Sequence, residues 1–447
     1  MKRTPHVLLI NPWITDFAAY NLWVTPLGLL SIASLLRRHG FQVTLVDCLG
    51  HSLKQKKYGD GKFFRTKIEK PGPVRFFPRH YNRYGITEEI LLDAFSSLEK
   101  PDVIGVTSGM TYWYPGVFRV IELAKQFFGA VPIVLGGIYA TLCHNHAQHY
   151  SGADIVFEGG RDDGILDTIS QLTGSDLHSQ GFDSSKFRNP QSAIRNCSYP
   201  AFDLYPRLDY VCLATSRGCP LRCTYCASGV LTKGFSRRDP SQVAEEIEYW
   251  VSRYGVENIA FYDDALLIDP KNHLIPILKE LTKREIRCHF HTPNGLHVRE
   301  IDGELAGLLF RAGFKTIRLG FETSSETSQA ETGGKVDNRE FEEAVRDLKK
   351  AGYPGEEIGV YIMAGLPEQR VREVEESISF VKKVGARPML VEYSPIPGTP
   401  LFVRAKERSP FDLENEPLFH NNSILPCQWE GFTFDDYQRL KEKTRRQ

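Results

Sequence analysis

The sequence has no net charge: 55 basic and 55 acidic side chains cancel over 447 residues. Without an excess of either sign there is no electrostatic footprint for a nucleic-acid polymer or an anionic membrane surface, and no nucleic acid is expected as a partner. The chain also lacks any run of about 18 apolar residues, so no transmembrane segment is expected. Its start, MKRTPHVLLINPW, is basic, but the apolar run is too short for a secretion signal. The tail after SPIPGTPLF shows no repeat or low-complexity tract. Cysteine is scarce, with nine scattered residues except for one cluster. With no secretion signal the thiols are expected to be reduced and the protein cytoplasmic. What remains, 41% hydrophobic and 11% aromatic residues, fits a folded chain too long for one ordinary core.

Residues 1–165 alternate short β-rich runs with helical patterns. VLLINP (7–12) reads as a buried strand, followed by a helix over 26–40 with Leu29, Ile32, Ala33 and Leu36 on one face and Gly40 as its stop. QVTLVDC, EEILLDAFSSLEK, DVIGVTSG, VFRVIELAKQFF, PIVLGG and ADIVFEGG continue the alternation. This predicts a doubly wound parallel sheet, whose ligands sit beyond the carboxyl ends of its strands. Those ends are small or glycine-rich: Thr107–Ser108–Gly109, Gly136–Gly137 and Gly159–Gly160. Residues 50–85 interrupt the pattern with a basic, aromatic insertion, read as a solvated or domain-bridging loop or else an anion-binding segment. Residues 166–205 read as a linker.

Alternation resumes over 206–400 with six strands: YVCLATS, NIAFYDD, IRCHFH, TIRLGFE, VYIMAGLP and MLVEYSP. Six β/α units predict a partial TIM barrel with its chemistry at the carboxyl ends of the strands. The helix after the first strand has Asp239 as N-cap, Pro240 at its first position and Gln242 two residues later. Residues 401–447 read as a polar C-terminal extension.

The cysteine cluster lies at the end of the first of these strands. In SRGCPLRCTYC, Cys219, Cys223 and Cys226 are spaced CxxxCxxC. Three thiolates suit an iron–sulfur cluster with one iron left open to a substrate or cosubstrate. A zinc ion that borrows a distant histidine is the other reading. The loop, with Tyr225 inside it, resembles the signature of the radical S-adenosylmethionine (SAM) superfamily. The resemblance implies a 4Fe–4S cluster held by the three cysteines, SAM bound to its open iron, and Tyr225 against the adenine. It extends to Asp263 and Asp264 after the second strand, Glu322 after the fourth and Gly365 after the fifth. The family's Gly-Gly-Glu segment is replaced here by Tyr262–Asp263–Asp264, and its GxIxGxxE pattern is half kept as Tyr361, Met363, Gly365 and Glu368. Asp263 and Asp264 are read either as acids complementing a helix dipole or as active-site groups, Asp264 receiving the SAM ammonium. Glu322 ends an apolar strand, where an unpaired carboxylate is costly, and is read as a SAM or substrate contact. Asp264 and Glu322 are thus the candidate catalytic residues.

The amino-terminal domain resembles the cobalamin-binding domain fused to many radical SAM enzymes, so the resemblance covers nearly the whole chain. It implies cobalamin beyond the strand ends, near Thr107, Ser108, Gly109, Gly136, Gly137, Glu158 and Gly159. The histidine of the DxHxxG pattern is missing, since Ile14–Thr15–Asp16 follows VLLINPW. That leaves cobalt without a protein histidine on its lower face, or a degenerate domain. His144, His146 and His149 with Cys143 read as a polar surface helix or as metal ligands, and His291 as a packed barrel histidine or a proton donor and acceptor. The implied function is a cobalamin-dependent radical SAM enzyme, in first place a methyltransferase acting on an unactivated carbon. The alternatives are rearrangement, cyclisation or oxidation without methyl transfer, and a non-enzymatic carrier. A methylthiotransferase needs a second three-cysteine cluster, and this domain offers only Cys48 and Cys143. The expected partners are a small-molecule, lipid or peptide substrate and a reductant such as flavodoxin or ferredoxin.

Overall fold

Val7, Leu8, Leu9 and Ile10 are all buried, with no polar residue between them, as in a strand covered on both faces. They form strand β1 (His6–Asn11), an interior strand of a five-stranded sheet. With β2 (Gln42–Asp47), β3 (Val103–Val106), β4 (Ile133–Leu135) and β5 (Ile155–Val156), its order is β5-β4-β3-β1-β2, every pair parallel. Side chains alternate between the two layers. Leu8 and Ile10 pack with Val117, Val120 and Ile121 of helix α2 (Tyr114–Phe128). Val7 and Leu9 pack with Leu29, Ala33 and Leu36 of α1 (Leu27–Arg38). Each buried aliphatic side chain contributes about 1.5–3 kcal/mol relative to exposure. The doubly wound sheet is as the sequence predicts.

The computed structural model describes residues 3–50, 54–55, 61–159, 162–175 and 199–445. The chain divides into two compact units, 1–208 with 415–418 and 209–414 with 419–447. Three expectations need correction. Within the 50–85 insertion, Arg65–Ile68 and Tyr81–Tyr84 join Ile14–Asp16 in a small antiparallel sheet, so much of this stretch is not a solvated loop. The cause is aromatic burial: Phe63, Phe77, Tyr81 and Tyr84 are all inside, and the Tyr81 hydroxyl donates to the Thr15 carbonyl at 2.9 Å. The first part of the 166–205 linker belongs to the helix Asp162–Thr173, because Leu166 and Ile169 complete the α1 side of the core. Ala201 and Phe202, near its other end, are buried as well; residues 176–198 lie outside the described residues. The 401–447 extension is not polar throughout, since Leu413, Ile424, Cys427, Phe432, Tyr437 and Leu440 are buried.

In the second unit the strands are β6 (Val211–Leu213), β7 (Asn258–Phe261), β8 (His289–His291), β9 (Phe314–Thr316), β10 (Arg318–Glu322), β11 (Gly359–Ala364) and β12 (Arg387–Glu392). β6 to β9 form one parallel sheet and β10 to β12 another. β10 is the predicted TIRLGFE strand; β9 shares only Thr316 with that prediction and is parted from β10 by Ile317 alone. Phe314 and Thr316 pair backward with β8, while Arg318–Glu322 pair forward with β11. A parallel bridge between Leu296 and Leu319 closes the gap. The six β/α units are therefore present in predicted order, as a partial barrel. The helix Pro240–Tyr254 starts as expected: the Asp239 carboxylate accepts from the Ser241 and Gln242 amides, and Gly255 ends it in the left-handed region.

Candidate active site

The cysteine loop leaves the carboxyl end of β6 through a short antiparallel pair, Ser216–Arg217 with Ser236–Arg237. Gly218 makes the turn possible: its φ is 76° and a Cβ there would stand 2.2 Å from the Gly234 carbonyl oxygen. The loop is then fixed from both sides. The Thr224 amide donates to the Thr332 carbonyl at 3.3 Å, and the Thr224 carbonyl accepts from Leu401 at 2.9 Å. Gly333 packs on the loop so closely that a Cβ would meet the Cys223 Cα at 3.1 Å. Burial pushes the Cys219 and Cys223 thiols up; Cys223 and Cys226 raise that of Cys219 further, while Lys335 opposes the rise at Cys223. Thiolates gathered in one short loop repel one another, a repulsion that bound iron relieves. Among the described residues no three Cys, His, Asp or Glu groups converge as for a single metal ion. An iron–sulfur cluster asks for something looser, because each thiolate serves a different iron. The donor set fits such a cluster.

Asp263 and Asp264 follow β7 and diverge. Asp263 is buried and turned back on β6. Its carboxylate accepts from the Thr215 amide at 3.0 Å, the Thr215 hydroxyl at 2.8 Å and the Ser216 hydroxyl at 2.5 Å. Burial raises its pKa, and these donors oppose the rise. It clamps the root of the cysteine loop, with Oδ1 committed to Thr215 and Ser216. Asp264 is exposed, receives the Ser228 hydroxyl and lies near enough to Cys219 to be felt by its thiol.

Glu322 ends β10 with φ at 65°, a left-handed conformation that non-glycine residues rarely adopt and that collects at functional sites. Its carboxylate is 2.6 Å from the Lys335 ammonium, and both side chains are largely buried. The sequence reading missed Lys335; its only signal is the Gly333–Gly334–Lys335 turn. Burial alone would lower the Lys335 pKa, but Glu322, Cys223 and Cys226 outweigh burial and hold it above the usual range. The ammonium lies 5.9 Å from the centre of the Tyr225 ring. Gly320 leaves it room, since a Cβ there would stand 2.9 Å from Nζ. Tyr225 hydrogen-bonds with Cys223 and packs on the buried cluster that includes Tyr393, Leu401 and Phe402. His297, also missed, feels the Lys335 charge, and its enclosed Nδ1 has no hydrogen-bond partner among the described residues.

Gly365 turns the chain after β11 at φ 84°, its amide donating to Gln369 Oε1 at 2.8 Å. Glu368 points elsewhere, pairing with Arg404 at 2.9 Å and Arg408 at 2.8 Å. His291 takes the packed reading, with Nδ1 3.1 Å from the Thr316 hydroxyl and Nε2 3.1 Å from Asn258 Oδ1.

In the first unit the strand ends interlock. The Ser108 hydroxyl donates to the Gly136 carbonyl at 2.7 Å and accepts from the Ala140 amide at 3.2 Å. Gly137 has φ 97°, and a Cβ there would lie 2.3 Å from the Ser108 carbonyl. Ser108 and Gly137 therefore build the edge. Gly109 faces the Trp113 ring, and the Gly159 amide donates to the Thr141 hydroxyl at 3.0 Å. Gly136 is different: nothing lies within 4 Å of where its Cβ would be. Thr107 is half-buried, Glu158 is exposed, and the apolar Met110 and Ile138, following β3 and β4, are exposed. An open glycine beside exposed apolar side chains fits a broad, flat ligand. Gly160 lies outside the described residues. His144 and His149 bond the backbone one turn back, and His146 stands among Tyr114, Phe118 and Tyr139. These contacts match the surface-helix reading.

Residues 213–381, from β6 to the helix after β11, match the radical SAM superfamily. The chain thus carries a radical SAM domain, whose chemistry uses a 4Fe–4S cluster and SAM, and is an enzyme. It is 25% identical over 394 residues to an uncharacterised methyltransferase of Pyrococcus horikoshii, covering 81% of this chain and 80% of that one. It is 22% identical to cytidylyl-2-hydroxyethylphosphonate methyltransferase of Streptomyces wedmorensis, covering 96% and 88%. Among solved structures, it shares the fold of the radical SAM methyltransferase TsrM of Kitasatospora setae, with TM-score 0.66, 16% identity and coverage of 90% and 76%. TsrM with cobalamin and a [4Fe–4S] cluster bound gives a TM-score of 0.65.

Proposed function

We propose that the protein is a cobalamin-dependent radical SAM methyltransferase that methylates an unactivated carbon. The observation that carries this reading is the presence, in one chain, of the three-thiol loop at the end of β6 and the open Gly136 edge of a doubly wound sheet. When bound, the cluster supplies the electron that cleaves SAM, and cobalamin supplies the carrier for the methyl group. Cys219, Cys223 and Cys226 hold the cluster. Asp264 takes the SAM ammonium, while Tyr225 and the Gly365 turn border the adenine. Glu322, its charge met by Lys335, orients the cosubstrate or substrate. Thr107, Gly109, Gly136 and Gly159 border the corrin, on a frame set by Ser108 and Gly137, with Glu158 at its rim. The substrate is a small molecule, lipid or peptide, and the electron comes from a cytoplasmic flavodoxin or ferredoxin.

The test is anaerobic turnover with reductant, cobalamin, methyl-labelled SAM and extract fractions as substrate source. One use of SAM remethylates the carrier and gives S-adenosylhomocysteine; the other gives 5′-deoxyadenosine. Both nucleosides in comparable amounts, with label in a product, are expected. Deoxyadenosine without S-adenosylhomocysteine or labelled product would reject methyl transfer in favour of rearrangement, cyclisation or oxidation.

A further inference from the structure

A buried cation that already has a carboxylate partner is normally read as an internal ion pair and nothing more. The Lys335–Glu322 pair departs from that in where it stands. Gly333, two residues before the lysine, is pressed on the backbone of Cys223, with 3.1 Å between its would-be Cβ and the Cys223 Cα. The ammonium lies 5.9 Å from the ring of Tyr225, the residue between Cys223 and Cys226. The backbone and the stem of the side chain thus carry one positive charge to the wall of the cysteine loop. Gly320 keeps the space open, since any Cβ there would meet Nζ at 2.9 Å and Glu322 Oε1 at 3.2 Å. Glu322 is held opposite at 2.6 Å by a left-handed backbone conformation. Of the two charges, that of Lys335 is the one set over the Tyr225 ring of the loop.

We infer that Lys335 and Glu322 set the reduction potential of the iron–sulfur cluster, Lys335 raising it and Glu322 trimming the rise. This rests on the reading that Cys219, Cys223 and Cys226 hold the cluster. A cluster bound by three thiolates gains one more negative charge when a reductant donates an electron to it. A fixed cation in a low-dielectric wall favours the reduced state, and an anion beside that cation weakens the effect. Lys335 acts here as a positioning charge on the cluster, not as a group that reacts.

The full-length chain, reconstituted anaerobically and without SAM, is titrated with a low-potential chemical reductant, and the reduced cluster is followed by electron paramagnetic resonance. Iron and sulfide are assayed first. With the wild-type cluster content retained, Lys335→Gln should shift the midpoint to more negative values and Glu322→Gln to less negative ones. Lys335→Arg should restore the wild-type value, which a merely structural loss would not predict. The double change to Gln at both positions removes the pair without leaving a lone buried charge, and should fall between Lys335→Gln and wild type. Equal midpoints in wild type, Lys335→Gln and the double variant, all with full iron, would overturn the proposal and leave the cluster assignment standing. A wild-type chain that binds no iron on reconstitution would overturn both.

Discussion

Asp263 and Asp264 are adjacent, yet one is committed to the fold and the other is open to a ligand. Successive side chains at a strand end face opposite ways, so only one of the pair can turn back on β6. Asp263 does, and its carboxylate collects the Thr215 and Ser216 donors. Replacing it with Ala should cost about 2–3 kcal/mol, because buried donors to a charged group lose their acceptor. Urea unfolding of the full chain measures this. Asp264→Asn should leave that unfolding curve unmoved and weaken SAM binding about tenfold, the loss of one charge-assisted contact of about 1.4 kcal/mol. Equilibrium dialysis of the reconstituted protein checks it, and unchanged affinity would remove Asp264 from the site. The sequence located both acids at a strand end, but the direction Asp263 faces depends on hydroxyls 48 and 47 residues away in the chain. Lys335 was illegible for a related reason: nothing local marks a lysine as the partner of a glutamate 13 residues earlier.

Gly136 and Gly137 divide their work along the same lines, one open to a ligand and one needed by the backbone. Gly137 is at φ 97° against the Ser108 backbone, whereas space around Gly136 is clear. Gly137→Ala should therefore unfold more readily, through both strain and the 2.3 Å clash with the Ser108 carbonyl. Gly136→Val should fold with little loss and yet fail to bind hydroxocobalamin, because its side chain fills the space proposed for the corrin. Visible spectra of the two variants and wild type, titrated with hydroxocobalamin, separate these outcomes. A Gly136→Val protein that shifts the spectrum as wild type does would place the corrin elsewhere. At this scale the sequence was informative wherever periodicity was strong, as in β1 with α1 or the six strands of the second unit. It misled where composition looked polar: Leu166 and Ile169 sit three apart among serine, aspartate and glycine, enough to dock a helix face. The aromatic insertion misled oppositely, its rings serving a small sheet instead of a surface loop.

Over the molecule as a whole the balanced charge hides an asymmetry in its histidines. His273 is buried, its Nε2 2.7 Å from the Thr215 hydroxyl, and burial, with Arg237 and Arg238 adding to it, pushes its pKa down to about 4 from 6.5. His291, between Thr316 and Asn258, is pushed down to about 3, chiefly by burial. Both are neutral in the folded chain and gain a proton near pH 6.5 only when it unfolds. The unfolded state then binds more protons, so stability is full above pH 6.5 and falls as pH drops toward the folded values. A shift of this size corresponds to a loss of up to about 3 kcal/mol per histidine by pH 4. Between pH 6.5 and about 5 ordinary carboxylates stay ionised, so the histidines govern that window. The Tm of the full chain should accordingly fall between pH 7 and pH 5. His291→Asn, which keeps a polar side chain in the same slot but cannot be protonated there, should lower Tm at pH 7 and flatten the fall. Scanning calorimetry across that range decides it; an identical slope in wild type and His291→Asn would mean that His291 is reached by protons while the barrel stays folded.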